Sequence, residues 1–310
     1  MAVCDKISDT APVVIFTYNR PEHTKKTIDA LSANVLADKT DLYIYSDAPK
    51  NESVIEQVKA VREFIKNVKG FKSVTIIERE KNWGLADSII DGVTNVVNKH
   101  EKVIVLEDDD ISSQYFLQFM NAGLGYYKNE HKVWGVCGWN YPVNFDDLGD
   151  AFFTYFGNCV WATWKDRWQY YEKNIDKLIA TFPQKDIHRF NYYGASDQWY
   201  QVLDNKQGKI NTWAIFWYAT VFQNKGLFLY PPKTYIRNIG FDNSGVHCNA
   251  TTVYDGELCV MDRIPDFSKI SIEENFIAEK RIFKFLRKIK GSLLRRVINK
   301  MKKYINGSSK

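Results

Sequence analysis

A chain of 310 residues, 45% apolar and 15% aromatic, is long enough to bury a sizeable core and too apolar to be disordered. Its net charge of +5 conceals an asymmetry: twelve of the 42 Lys and Arg residues fall from Lys280 onward without one acid, leaving 30 bases against 37 acids in the body. The mildly acidic body argues against nucleic acid as a partner, and the basicity belongs to the tail. Met1 to Pro12 carries Asp5, Lys6 and Asp9 and has no apolar core, so no signal peptide is expected. No run of about twenty apolar residues suggests a transmembrane helix. The five cysteines (Cys4, Cys137, Cys159, Cys248 and Cys259) are odd in number and form no CxxC pair. Reduced thiols in a cytosolic protein are therefore expected, rather than a disulfide framework or a structural zinc site.

In chain order, Pro12 to Thr17 is a short apolar run ending in the polar loop Tyr18-Asn19-Arg20-Pro21-Glu22. Thr24 to Leu36 has apolar residues near helical spacing. Asp41 to Ser46 reads as a second strand ending at Asp47-Ala48-Pro49, Val54 to Val68 as a second helix and Ser73 to Ile77 as a third strand. Leu85 to Asn98 is helical, and Val103 to Leu106 is a fourth strand that runs straight into Glu107-Asp108-Asp109-Asp110. Alternation of strands and helices predicts parallel βαβ units, an α/β class with helices on both faces of the sheet. Ligands of such sheets gather at the carboxyl ends of the strands, where Thr17, Asp47 and the acidic run all fall.

The acidic run reads two ways by itself. Clustered carboxylates repel one another and are costly to hold near a core, and a hard divalent cation, Mn²⁺ or Mg²⁺, offsets both penalties. A solvated acidic turn is the plainer alternative. After about Asn140 aromatics become dense, including Trp161, Trp164, Trp168, Tyr170, Tyr171, Tyr192, Tyr193, Trp199, Trp213, Trp217 and Tyr218. Most are expected in the core, with a minority free to stack on a sugar. No repeat or flexible linker precedes the tail, so residues 1–275 are expected to form one continuous unit of two halves, 1–121 and 122–275. Residues 276–310 form a basic tail. Within it, Ile282, Leu286, Ile289, Leu293 and Val297 share one face of a helix over Lys280 to Lys303, an amphipathic pattern suited to the anionic inner face of a membrane. A partner-helix contact or a solvated tail are the alternatives.

Four segments together resemble the GT-A-fold, nucleotide-sugar-dependent glycosyltransferases, close to family 2: VVIFTYNRPE (Val13 to Glu22), SDAPKN (Ser46 to Asn51), ERxxNWGLADSIIDGV (Glu78 to Val93) and VIVLEDDDISSQYFLQFMN (Val103 to Asn121). The EDD core and the FxxFM that follows it are also similar to the family of N-acetylglucosaminyltransferases that initiate complex N-glycans. So are GNCVWATW (Gly157 to Trp164), SDQW (Ser196 to Trp199) and IGFDNSGVH (Ile239 to His247). Asp110 departs from the apolar residue that usually follows EDD in that family.

The resemblance implies a Rossmann-like, mostly parallel sheet and metal-dependent, inverting transfer of a sugar from a nucleotide sugar, UDP-sugar favoured, to a glycan or glycolipid acceptor. It implies Asp109 as the direct metal ligand, with Glu107 and Asp108 contacting ribose or metal-bound water. It also implies Thr17, Tyr18 and Arg20 in the nucleotide-binding loop, Asp47 on the base, and Asp197 as general base. Arg79 and Asn82 approach the donor in this reading, and His247 joins the metal or a diphosphate oxygen. On the residues alone, Asp47 also suits a turn before Pro49, Arg79 a surface ion pair, Asn82 and Asp197 helix caps, and His247 a structural role. Two other functions share parts of this pattern. A sugar nucleotidyltransferase would need a glycine-rich first loop, which FTYNRPE lacks, and a non-catalytic carbohydrate-binding or scaffold protein would not need the acids.

Overall fold

A computed structural model describes residues 7, 9–157, 160–244 and 250–291. The expected βα alternation is present: β1 Val13–Thr17, α1 Pro21–Ser32, β2 Asp41–Ser46, α2 Ile55–Ile65, β3 Ser73–Glu78, α3 Leu85–His100 and β4 Lys102–Glu107. After these come β5 Asp110–Ser112, α4 Phe116–Tyr126, β6 Val133–Cys137, β7 Phe152–Thr154 and β8 Trp161–Trp164. Short helices then fill one stretch: α5 Lys165–Trp168, α6 Ile175–Thr181, α7 Ile187–Phe190 and α8 Trp199–Lys206. The described chain ends with α9 Ala214–Gln223, β9 Leu227–Tyr230, β10 Ile236–Asn238 and α10 Phe276–Lys290.

Eight strands form one sheet in the order β3-β2-β1-β4-β8-β6-β9-β7, and β5 pairs with β10 in a separate two-stranded ribbon. The β3-β2-β1-β4 half is wholly parallel, while β8 and β7 run antiparallel to their neighbours. Burial follows position. The central strands β1 and β4 are almost continuously apolar and buried, whereas β3, on the edge, alternates between exposed and half-buried residues. This mixed α/β sheet flanked by helices has the GT-A arrangement that the sequence predicts.

Both ends of α1 differ from the sequence reading for physical reasons. Helix α1 starts at Pro21, three residues early, because proline's fixed φ suits the first helical position. It stops at Ser32, and Leu36 adopts a φ of 79° in the turn beyond. Helix α3 lies against β1 and β2 at Gly92, where a Cβ would sit 2.7 Å from the Phe16 ring and 3.0 Å from that of Tyr45, so only glycine permits the approach.

The tail begins as a helix that packs on the body: Ala278, Ile282 and Phe283 are buried, and Phe283 stacks on Tyr192 at 5.7 Å and meets Phe156 at 5.7 Å. Of the expected stripe, Ile282 is buried, Leu286 half-buried and Ile289 exposed, while Leu293 and Val297 lie outside the described residues. Asn275 caps the helix by accepting from the Ala278 N–H at 2.9 Å. Gly291, at φ 75°, closes it rather than weakening its interior. The expected continuation toward Lys303 lies outside the described residues. Among the described residues no helix is long and apolar enough to cross a membrane.

Candidate active site

The parallel strands deliver their ends to one place. Ser46 faces Thr17 across the β1–β2 pair, and Glu107 faces Phe16 across β1–β4. Strand β4 stops at Glu107, Asp108 and Asp109 form a turn, and Asp110 opens β5. The β5–β10 ribbon then sets Asn238 opposite Asp110. Asn238 Nδ2 donates to Asp109 Oδ1 at 2.9 Å and to Asp110 Oδ1 at 3.0 Å. The Glu107 N–H donates to Asp110 Oδ2 at 3.0 Å. Asp110, whose role the sequence left open, therefore pins the turn that presents the other acids.

Arg20, from the loop after β1, supplies the only side-chain cation that pairs with these acids among the described residues. Its guanidinium pairs with Asp108 and lies 2.9 Å from Asp109 Oδ2. Burial opposes the arginine's charge, but Asp108 and Asp109 raise its pKa further above its ordinary value. The acids remain crowded nonetheless. Burial, then Asp109, Asp110 and Asp108, hold Glu107 well above the ordinary carboxylate range. Burial pushes Asp108 up to about 6 despite Arg20, and burial together with Asp109 pushes Asp110 up to about 7. One guanidinium does not compensate four carboxylates, and a site in that state favours a further cation.

The donor set suits a hard divalent ion, and the backbone passes close beside it. A Cβ at Gly240 would collide with Asp109 Oδ2 and lie 2.9 Å from Asp109 Cγ, so the chain passes directly over that carboxylate with nothing but hydrogen between. Among the described residues no three His, Cys, Asp or Glu side chains converge as a ready cage. Mg²⁺ and Mn²⁺ sites on phosphorylated substrates often use one or two protein carboxylates, which this arrangement can supply. His247 lies outside the described residues.

Beside the acids opens a cavity of about 390 Å³. Glu107, Asp109, Asp110 and Asn238 line one side, whereas Asp108 is turned away toward Arg20. Trp139, Tyr141, Phe241 and Tyr254 form aromatic walls with Trp161 and Trp213, and Leu286 of α10 and the Ser196–Gln198 loop close the rest. Of the aromatics singled out in the sequence, only Trp161 and Trp213 reach this cavity. Trp168, Tyr171 and Trp217 stack around them as core, with Trp161 and Trp213 5.4 Å apart.

The other sequence candidates divide. Thr17 Oγ1 donates to the Tyr45 carbonyl at 3.3 Å, and the Tyr18 hydroxyl accepts from the Lys50 N–H at 3.1 Å, so both brace the first loop. Asp47 is already spent. Its Oδ1 accepts from the Ala48 and Trp83 N–H groups, each at 2.9 Å, and its Oδ2 from Gly84 N–H at 2.8 Å and Asn82 Nδ2 at 3.0 Å. Four donors fill the carboxylate's lone pairs, so it serves as a clamp on the 82–84 loop. Asn82 belongs to that clamp and is not the cap of α3, whose N-cap is Gly84. Arg79 pairs with Asp91 and lies over Trp83 at 3.9 Å and Tyr45 at 4.9 Å. Asp197 is exposed; its Oδ1 accepts from Tyr200 N–H at 3.3 Å in the first turn of α8, while its neighbours Ser196 and Gln198 line the cavity. The main cap of α8 is Asn191 Oδ1, which accepts from Gln198 and Trp199 N–H, each at 2.8 Å.

Sequence reasoning missed Asn238 and the aromatics Trp139, Tyr141 and Tyr254. Nothing local marks Asn238; only its place just before the IGFDNSGVH segment hints at it.

Residues 13–131, which carry β1 to β4 and the acidic run, match the family model described as Glycosyl transferase family 2. No curated protein matches the chain. Two solved structures are similar to it at 12% identity. S. aureus TarS covers 42% of this chain with a TM-score of 0.30, and this chain spans only 22% of that one. The mannosyltransferase PcManGT from Pyrobaculum calidifontis, in complex with GDP-Man and Mn2+, covers 70% of this chain, and 69% of its own length is matched, with a TM-score of 0.40.

Proposed function

We propose that this protein is a divalent-metal-dependent, inverting glycosyltransferase that moves a hexosyl or N-acetylhexosaminyl group from a nucleotide sugar, UDP-sugar favoured, to a glycan acceptor. The observation that carries the reading is the crowd of Glu107, Asp108, Asp109 and Asp110, short of positive charge, at the strand ends of the segment that matches the family 2 model. Mn²⁺ or Mg²⁺, held by Asp109 with Glu107 nearby, would neutralise charge on the leaving diphosphate. Arg20, which borders Asp109, supplies a second cation for the same phosphates. The 82–84 loop, clamped by Asp47 and with Arg79 over its Trp83 ring, borders the nucleotide.

The acceptor's sugar face stacks in the aromatic cavity, its hydroxyl directed to the anomeric carbon. Asp197 takes the hydroxyl proton as that oxygen bonds to the anomeric carbon, and the bond to the diphosphate breaks with its electron pair on the leaving oxygen. Its place beside two cavity-lining residues supports this role once the acceptor fills the cavity. Residues 1–275 act together in this reading, since one sheet runs through both halves. A lipid-linked surface polysaccharide is the proposed acceptor class, which sets the protein at the cytoplasmic face of the membrane. Similarity to the N-acetylglucosaminyltransferases of complex N-glycans suggests an N-acetylhexosamine donor as the first to try. Hydrolysis of UDP-, GDP- and dTDP-sugars with Mn²⁺ tests the proposal: slow release of sugar from one donor class is expected, and folded protein that neither binds nor turns over any of them overturns it.

A further inference from the structure

The packing of α10 on the body leaves its other face to be explained. Six of its residues, Phe276, Ile277, Lys280, Lys284, Arg287 and Lys288, are exposed on that face, which carries no acid of the helix itself; Asp146 and Asp147 border Lys284 and Lys288, and Glu273 borders Phe276. Phe276 is 73% and Ile277 55% exposed, large for two adjacent apolar side chains on a solvated helix. Arg281 is committed to Asp147, and Arg287 donates to the Tyr193 carbonyl at 3.2 Å. Lys280, Lys284 and Lys288 follow the i, i+4, i+8 row and have no ion-pair partner among the described residues. A row of unpaired lysines that ends in an exposed Phe-Ile pair matches an anionic bilayer surface: the cations meet lipid phosphates and the two apolar side chains enter the interface.

The opposite face of the same helix belongs to the candidate active site. Leu286 lines the cavity, and the Phe285 ring lies 6.0 Å from Tyr141 and 6.1 Å from Tyr254, two of its aromatic walls. We propose that the outward face of α10 docks the protein on an anionic phospholipid surface, so that one helix both binds the bilayer and walls the acceptor end of the cavity. The acceptor is then a glycan presented at that surface on an anionic lipid. This last step rests on the glycosyltransferase reading; the docking itself does not.

The test is flotation of the full-length protein with vesicles of phosphatidylcholine alone or with one quarter phosphatidylglycerol. Three proteins are compared: wild type, the variant Lys280→Glu with Lys284→Glu and Lys288→Glu, and a matched control in which the exposed Lys59, Lys69 and Lys185 become Glu. The residues beyond Gly291 are the same in all three, so their cations cancel. Wild type is expected to float only with the anionic vesicles, the α10 variant to lose at least tenfold in partitioning, and the control to stay within about twofold of wild type. Phe276→Ser with Ile277→Ser is expected to weaken binding severalfold. Equal losses in the α10 variant and the control, or no binding by wild type, overturn the docking surface. Thermal melting checks that each variant is folded, and donor hydrolysis on the same preparations tests the enzymatic reading separately.

Discussion

Glu279 offers a quantitative check on how α10 is seated. The residue is 3% exposed beneath the helix, and its Oε1 has no hydrogen-bond partner among the described residues. Burial, reinforced by nearby Glu274, pushes its carboxyl up to about 8 from an ordinary value of 4.5, although Arg189 and the Tyr155 N–H oppose the rise. The folded protein thus holds a proton that the unfolded chain releases above pH 4.5. Stability from this group is complete below that pH and is lost as pH rises toward and through 8. At 1.36 kcal/mol per unit the loss is about 3 kcal/mol at pH 7 and approaches about 5 kcal/mol by pH 9. Glu279→Gln keeps the shape and removes the titration. Urea unfolding at pH 4.5, 7 and 9 should show the two proteins nearly equal at the lowest pH, with the variant increasingly the more stable above it. A stability difference that does not change with pH, or a wild type that gains on the variant as pH rises, refutes the reasoning.

Three further substitutions probe the site. Gly240→Ala places a methyl against Asp109, and the required shift of that carboxylate should cost 10- to 100-fold in Mn²⁺ affinity, read by calorimetry, with little change in melting temperature because Gly240 lies outside the positive-φ region. Asp47→Ala strips the partner from three backbone N–H groups and leaves the Asn82 amide only the Ala48 carbonyl, so urea denaturation should report a loss of roughly 3 kcal/mol together with weakened nucleotide binding. Asp197→Asn should bind donor as wild type does and fail to transfer sugar; transfer at the wild-type rate would rule Asp197 out as the base.

The first half of the fold was legible because its signals are local. Val13–Thr17 and Lys102–Glu107 are short apolar runs, and the intervening helices carry buried residues three and four apart, as Val58, Val61 and Ile65 do in α2. The acids could be placed at strand ends for the same reason. Asn238 could not, because it reaches Asp109 and Asp110 only through the β5–β10 ribbon, across more than a hundred residues of chain. Asp47 was recognised as important, but its bonds to loop 82–84 were not foreseen, since nothing in SDAPKN reveals that this loop turns its N–H groups inward. Helix α10 shows a different limit. An amphipathic pattern fixes that one face is covered, and a bilayer and a protein core demand the same stripe of Ile, Phe and Leu. The packing of Phe283 on Tyr192 and Phe156 shows that the protein itself covers one side of α10.

The central claim, that the acidic run binds a divalent cation together with a nucleoside diphosphate, is tested most directly by calorimetric titration of UDP, GDP and dTDP in the presence and absence of Mn²⁺, on wild type and Asp109→Ala. The account predicts that wild type binds one of them only with the metal present and that Asp109→Ala loses this binding. Metal-independent binding of equal strength in both proteins, or binding of none of the three by folded wild type, would contradict it.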